Sequence, residues 1–214
     1  MENINIKNIR NAISLPNNLH YILIGLMLGD GSISKSSPTS NSRFEMSFGS
    51  NYKQFAESIG KLFNDYINTP VKAIKVKGNN MTYTNYRLKT VSLPLFNKYY
   101  DMFYRFNEEK NKNLKIIPHN ISESLNPIVL AYLLMSDGNF DKNRNRVRIY
   151  TNNFTKEEVK ILAESINRKL NIYTGVLHDR KNQWILTIGK KQLLILRNIV
   201  TPHFEPSMLY RIGL

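Results

Sequence analysis

Two stretches of the chain are apolar on every side and of helical length. Leu19–Gly31, LHYILIGLMLGDG, and Asn126–Gly138, NPIVLAYLLMSDG, each end in an aspartate followed by glycine, at Asp30 and Asp137. A helix that is apolar all round is a buried helix, and a repeat spaced by about half the chain predicts two related halves. Asn17 or Asn18 is placed to cap the first helix. After it, Ser32–Lys35 begins a strand, and RFEMSFGS alternates with Phe44, Met46 and Phe48 on one face and Arg43, Glu45 and Ser47 on the other. Period two with one apolar face is a half-buried strand. Asn51–Tyr66 carries Phe55, Ile59, Leu62, Phe63 and Tyr66 at helical spacing, and Val71–Lys77 and Thr82–Lys89 flank Gly78-Asn79-Asn80, a hairpin signature. Leu93–Phe106 predicts a closing helix and Asn107–Asn113 a charged linker.

The order then repeats. Gly138–Asp141 and Asn145–Asn152 predict strands, and Thr155 caps a helix through Leu170, with Glu158 completing a capping box. Ile172–His178 and Gln183–Ile188 form strands around Asp179–Asn182, and Lys191–Val200 forms the last long helix. The expected fold is α+β, with two pseudo-symmetric αββαββα halves, residues 1–106 and 121–214, joined by a linker over 107–120. Met1–Pro16 is expected to be a polar arm.

Composition narrows the chemistry. A net charge of +14 on a chain of ordinary apolar content points to a folded protein with a polyanionic partner. With no cysteine, disulfide scaffolds and thiolate zinc sites are excluded, and the four histidines lack metal-ligand spacing. Any metal is therefore expected to be a hard cation on oxygen. No apolar run is long enough to span a membrane, and the Asn-rich start resembles neither a secretory signal nor a transit peptide, so a soluble protein is expected.

The basic residues gather on the predicted strands and their turns. In the first half these are Lys35, Arg43, Lys72, Lys75, Lys77, Arg87 and Lys89, interleaved with Ser32, Ser34, Tyr83 and Asn85. In the second they are Lys142, Arg144, Arg146, Arg148, Arg180 and Lys181, with Asn139, Tyr150, Asn152, His178 and Gln183. Strands can enter the DNA major groove, where Arg reads guanine and Asn or Gln reads adenine. The remaining cations would hold phosphates. Asp30 and Asp137 each oppose the macrodipole at a helix C-terminus. An Asp-Gly pair also serves simply as a turn, but its duplication suggests more. Gly25 and Gly29 would let the two helices approach closely. Two carboxylates brought side by side need a cation between them. A pair of divalent ions there stabilises attacking and leaving oxygens in phosphodiester hydrolysis.

IGLMLGDG and LAYLLMSDG resemble the two motif helices of the LAGLIDADG homing endonucleases, in the single-chain form that carries both copies. The order of elements in each half is similar as well. The resemblance implies halves packed through the motif helices, with sheets forming a DNA-binding saddle. It implies that Asp30 and Asp137 bind divalent metal, with the backbone carbonyls of Gly29 and Ser136 assisting. One basic residue per half would stand near a metal-bound water. These are Lys115 in LKIIPHN and Arg211 in MLYRIG, and an arginine there can offset charge but not act as a base. Ser50, Asn51, Asn152 and Asn153 could orient water. Tyr132 occupies the place of Gly25 in the second motif, which makes the helix pair asymmetric. The implied function is a monomeric, site-specific double-strand DNA endonuclease with a long target. It would use Mg2+, Ca2+ would support binding without cleavage, and the protein would serve to spread an intron. The alternatives from the same fold are an intron RNA maturase, with host intron RNA as partner, and a DNA-binding protein that does not cut. Abundant Asn, Ile, Lys and Tyr suggest an AT-rich organellar source, with a mitochondrion as the expected compartment.

Overall fold

The computed structural model describes residues 14–78 and 81–214. Most of the expected N-terminal arm, and the Asn79-Asn80 turn, lie outside the described residues. The first motif helix runs Asn17–Leu28. The Asn17 and Asn18 side chains sit inside its first turn rather than flanking it, and His20 N–H donates to Pro16 O at 2.8 Å. The chain continues through β1 (Ser32–Lys35), β2 (Ser42–Phe48), a helix at Lys53–Leu62, β3 (Lys72–Gly78) and β4 (Met81–Lys89). A short helix, Asn97–Phe103, leads into β5 (Tyr104–Asn107) and β6 (Lys112–Lys115). After the second motif helix, Pro127–Asp137, come β7 (Gly138–Asp141), β8 (Arg146–Tyr150), a long helix at Lys156–Leu170, β9 (Gly175–His178) and β10 (Trp184–Ile188). Helix Leu193–Val200 and a 3-10 stretch, Pro206–Ile212, close the chain.

The duplication is plain in the sheets. One has strand order β1-β2-β4-β3 and the other β7-β8-β10-β9, all antiparallel. The fold is α+β. Each sheet buries the face that alternation predicts. In the first, Phe44, Met46, Phe48 and Leu88 are buried, with Phe44 5.1 Å from Phe63 and Phe48 edge-on to Phe55 at 5.6 Å. In the second, Val147, Ile149, Leu186 and Ile188 are buried, as are Val159, Leu162 and Ile166 of the long helix. Thr155 and Glu158 form the expected capping box.

The segment read as a helix through Phe106 and a charged linker is instead a β-hairpin. Helix Asn97–Phe103 stops where Tyr-Arg-Phe favours strand, and β5 pairs β6 from Tyr104↔Lys115 to Asn107↔Lys112. Asn111 supplies the left-handed residue of the turn (φ 45°), and Asn107 Oδ1 accepts from Lys110 N–H at 2.8 Å. The helix expected over Asn51–Tyr66 is shorter, with 3-10 turns at Ser50–Tyr52 and Asn64–Tyr66.

Contacts divide the chain into two compact units. One comprises residues through His20 with Asp30–Asp101, and the other Tyr21–Gly29 with Met102–Leu214. The apolar body of the first motif helix thus belongs to the same unit as the second motif helix. Asn126 caps the latter, its side chain accepting from Val129 N–H at 3.0 Å with Pro127 at the first helical position. Among the described residues no helix is long and apolar enough to cross a membrane.

Candidate metal and nucleic-acid site

Two glycines let the motif helices touch along their backbones. A Cβ built on Gly25 would stand 2.6 Å from Val129 O and 2.7 Å from Tyr132 Cβ. One turn later, a Cβ on Gly29 would stand 2.5 Å from Ser136 Cβ and 2.7 Å from Asp137 Oδ2. Tyr132 closes over the glycine it replaces in the repeat, and burial pushes its phenol up to about 12. Leu23, Ile24, Leu26 and Met27 of the first helix, and Leu130, Leu133 and Leu134 of the second, are buried.

This approach fixes the surroundings of Asp137. It is the last helical residue, and its carboxylate lies against the Gly29 backbone. Lys115, at the end of β6, donates from Nζ to Gly29 O at 2.6 Å. Ser136 Oγ, 3.0 Å from where a Cβ on Gly29 would stand, is buried and has no hydrogen-bond partner. Asp137 Oδ2, the Gly29 carbonyl and an orphaned hydroxyl form a set of hard oxygens, and a carbonyl engaged by one donor keeps a second lone pair. Such a set suits a divalent cation of the magnesium or calcium kind. Asp30 is exposed, in the turn directly after Gly29. In the other motif, Arg211 donates from a terminal nitrogen to Gly138 O at 2.5 Å. Lys115 therefore engages the carbonyl before one motif aspartate, and Arg211 the carbonyl after the other.

The hairpin that carries Lys115 is anchored twice. Ile116 N–H donates to Phe103 O at 2.8 Å, and Ile117 N–H to Glu158 Oε1 at 3.1 Å. The other oxygen of Glu158 accepts Thr155 N–H at 2.7 Å, so one carboxylate caps a helix and holds the strand end. Arg197 performs the corresponding service near Arg211, donating to Ile212 O at 2.9 Å and Gly213 O at 3.2 Å. Gly213 has φ +76°, and a Cβ there would meet the Phe140 ring. Alternation along the sequence gave no sign of Glu158 or Arg197 in these roles, because both act through non-local backbone partners.

Residues directly opposite in an antiparallel sheet share a face. In the first sheet the register groups Ser32, Ser34, Arg43, Lys72, Tyr83, Asn85, Arg87 and Lys89 with Glu45 on the polar face. Lys35, Lys75 and Lys77 fall on the opposite face, and Lys35 turns toward Asp101 (3.9 Å) and the Tyr100 ring (4.6 Å). In the second sheet Asn139, Arg146, Arg148 and Tyr150 share the polar face with Asp141. His178 falls on the other face, stacked edge-on against Trp184 at 5.0 Å. Lys142, Arg144, Arg180 and Lys181 are exposed in turns. Asn152 Oδ1 and Gln183 Oε1 are buried acceptors without partners. Asn152 and Asn153 line an open groove of about 810 Å³ with Lys115 and the β5–β6 hairpin. Ser50 and Asn51 lie in the 3-10 turn after β2.

The chain thus carries a duplicated sheet with a basic polar face and two motif helices that touch through glycines, with Asp137 ending one and Asp30 following the other by two residues. Residues 20–196 match the LAGLIDADG DNA endonuclease family, and the chain belongs to that family. It is 31% identical to the cytochrome b mRNA maturase bI2 of Saccharomyces cerevisiae, over 98% of this chain and 51% of that protein. The chain thus spans about half the length of that maturase. It is also 31% identical to the intron-encoded endonuclease ai4 of Dictyostelium discoideum, over 69% of this chain and 91% of that one. Among solved structures, the homing endonuclease I-WcaI bound to its DNA recognition sequence matches with a TM-score of 0.83 and 26% identity, covering 99% of this chain and 94% of that one. I-DmoI in complex with DNA and Mn shares the fold, with a TM-score of 0.52 at 19% identity.

Proposed function

We propose that the chain is a site-specific DNA endonuclease that hydrolyses both strands of a long target with divalent metal. The observation that carries this reading is the Asp137 carboxylate held against the Gly29 backbone, with the Lys115 ammonium on the Gly29 carbonyl. Asp30 and Asp137, with the Gly29 and Ser136 carbonyls, would hold magnesium, which when bound supplies Lewis-acid activation of phosphate and water. Lys115 supplies a positive charge and a transferable proton beside the reacting phosphate. Arg211 supplies charge alone, because its guanidinium stays protonated. The polar sheet faces read base edges through Arg43, Arg87, Arg146, Arg148, Asn85 and Asn139, while turn cations such as Lys142, Arg144, Arg180 and Lys181 hold phosphates. The protein acts as a monomer, and its similarity to intron-encoded endonucleases and to a cytochrome b mRNA maturase supports expression in a mitochondrion or other organelle.

The test is cleavage of a randomised duplex library by the wild type and by Asp30→Asn and Asp137→Asn. Magnesium should give cleavage of a selected sequence, calcium binding without cleavage, and both variants binding with cleavage lost. Cleavage retained in both variants would refute the assignment. The similarity to a cytochrome b mRNA maturase over nearly the whole chain favours a second reading, assistance to splicing of the host intron. A splicing assay with that intron tests it directly.

A further inference from the structure

Each polar sheet face, otherwise basic, holds one acid among its arginines. Glu45 on β2 accepts Arg43 Nε at 2.6 Å and Ser34 Oγ at 3.0 Å on one oxygen, and a terminal nitrogen of Arg87 at 2.8 Å on the other. Lys89 Nζ stands 3.4 Å from that second oxygen. Asp141 on β7 accepts Arg146 Nε at 3.2 Å and a terminal nitrogen of Arg148 at 2.6 Å on one oxygen, and Arg144 N–H at 3.3 Å on the other. The two clusters occupy matching places. Ser34 opposes Arg43, and Asp141 opposes Arg146, while Ser32 opposes Glu45, and Asn139 opposes Arg148. The acid has changed strand between the halves, yet each sheet keeps one carboxylate between two guanidinium groups.

We infer that Glu45 and Asp141 are specificity-determining residues, which hold these arginines in the orientation that reads bases and keep them off the phosphate backbone. The inference rests on the proposed DNA-binding role of the two faces. An acid on such a face repels DNA, so its presence calls for a compensating role. Glu45 has little left to offer a base. A carboxylate has about four acceptor sites; three take hydrogen bonds from Arg43, Ser34 and Arg87, and the Lys89 ammonium stands 3.4 Å away. The Glu45 side chain is also only 12% exposed. Holding is what remains. Arg43 and Arg87 each spend one nitrogen on Glu45, which leaves most of a five-donor fork for a base edge. A guanidinium fixed before binding loses less side-chain freedom on contact, and one tethered to a carboxylate on the sheet cannot swing away to follow the phosphate backbone. The carboxylates are held ionised throughout. Burial works to raise them, but the hydrogen bonds from Arg43, Arg87 and Ser34 bring Glu45 down to about 2, and those from Arg146, Arg144 and Arg148 lower Asp141.

The test compares wild type, Glu45→Gln and Asp141→Asn by fluorescence anisotropy. The probes are the duplex enriched by binding selection from a randomised library and a random-sequence duplex of equal length, across a salt series without divalent metal. Each variant should bind the random duplex roughly 3–10-fold tighter, with a salt slope steeper by about one, because a released arginine takes a phosphate. The ratio of target to random affinity should fall by about tenfold or more. Arg43→Gln removes the held group instead and should weaken target binding with no gain on random DNA. Unchanged slope and ratio in both acid variants, or equal losses on both duplexes, would overturn the inference while leaving DNA binding intact. A wild type that enriches no sequence would overturn the DNA reading and this inference with it.

Discussion

Replacing Gly25 with alanine should destabilise the protein by about 1–2 kcal/mol, although the same change in an exposed helix would be favourable. The added methyl would lie 2.6 Å from Val129 O and 2.7 Å from Tyr132 Cβ, where carbon contacts are optimal at about 3.5–4.0 Å. That is about 1 Å of overlap against a carbonyl and a Cβ, neither of which can rotate away. The helices must separate, and the contacts of Leu23, Ile24, Met27, Leu130 and Leu133 loosen together. With both contacts on rigid atoms, the overpacking cost falls in the upper part of the usual range, about 2–3 kcal/mol, and alanine's helix propensity returns roughly 1 kcal/mol. Denaturant unfolding of wild type and variant measures the difference, and a chain of this size should lose about 2–8 °C in Tm. Gly60→Ala is the control, because its methyl would meet side-chain atoms rather than backbone, Val71 Cγ2 at 2.6 Å and Leu88 Cδ1 at 4.0 Å, on residues that can shift without parting two helices. A neutral or stabilising Gly25→Ala, or a Gly60→Ala that costs as much, would refute the claim that backbone contact holds the motif helices.

Two further outcomes follow from hydrogen bonds described above. Glu158→Ala should cost about 2–4 kcal/mol, the loss of a capping box plus an unpaired N–H on buried Ile117. Glu158→Gln, which keeps one acceptor oxygen, should cost less in the same unfolding assay and retain more cleavage. Glu45, at about 2 in the folded protein against an ordinary 4.5, stabilises the native state fully above about pH 4.5, and that contribution is lost as pH falls toward 2. Solvent screening of these partly exposed pairs limits it to about 1–2 kcal/mol. The pH dependence of unfolding should flatten in Glu45→Gln over that range, and parallel curves for the two proteins would contradict it.

The elements legible from sequence were those whose pattern is local. Both motif helices are apolar on all sides, β2 alternates without a break, and Thr155 with Glu158 spells a capping box, so each was readable within one element. The β5–β6 hairpin was not, because helical spacing of apolar residues runs on through Phe106 and only the pairing of Tyr104 with Lys115 decides for strand. Of the site, the two Asp-Gly endings and the glycine spacing were visible in the chain. The faces of Lys35, Lys75, Lys77 and His178 were not, since they depend on cross-strand register. Glu45 was visible on the polar face of β2, but its four partners come from three strands.

The grouping of Tyr21–Gly29 with the residues from Met102 onward bears on how the chain is made. This greasy segment leaves the ribosome about a hundred residues before Val129–Asp137, the stretch its glycines touch. At ~5–20 residues per second that is a wait of roughly 5–20 s. During that interval the apolar stretch Tyr21–Gly29 lacks the second motif helix that its glycines touch. Cutting the gene between the halves would leave the first fragment with this greasy face uncovered until the second fragment arrives.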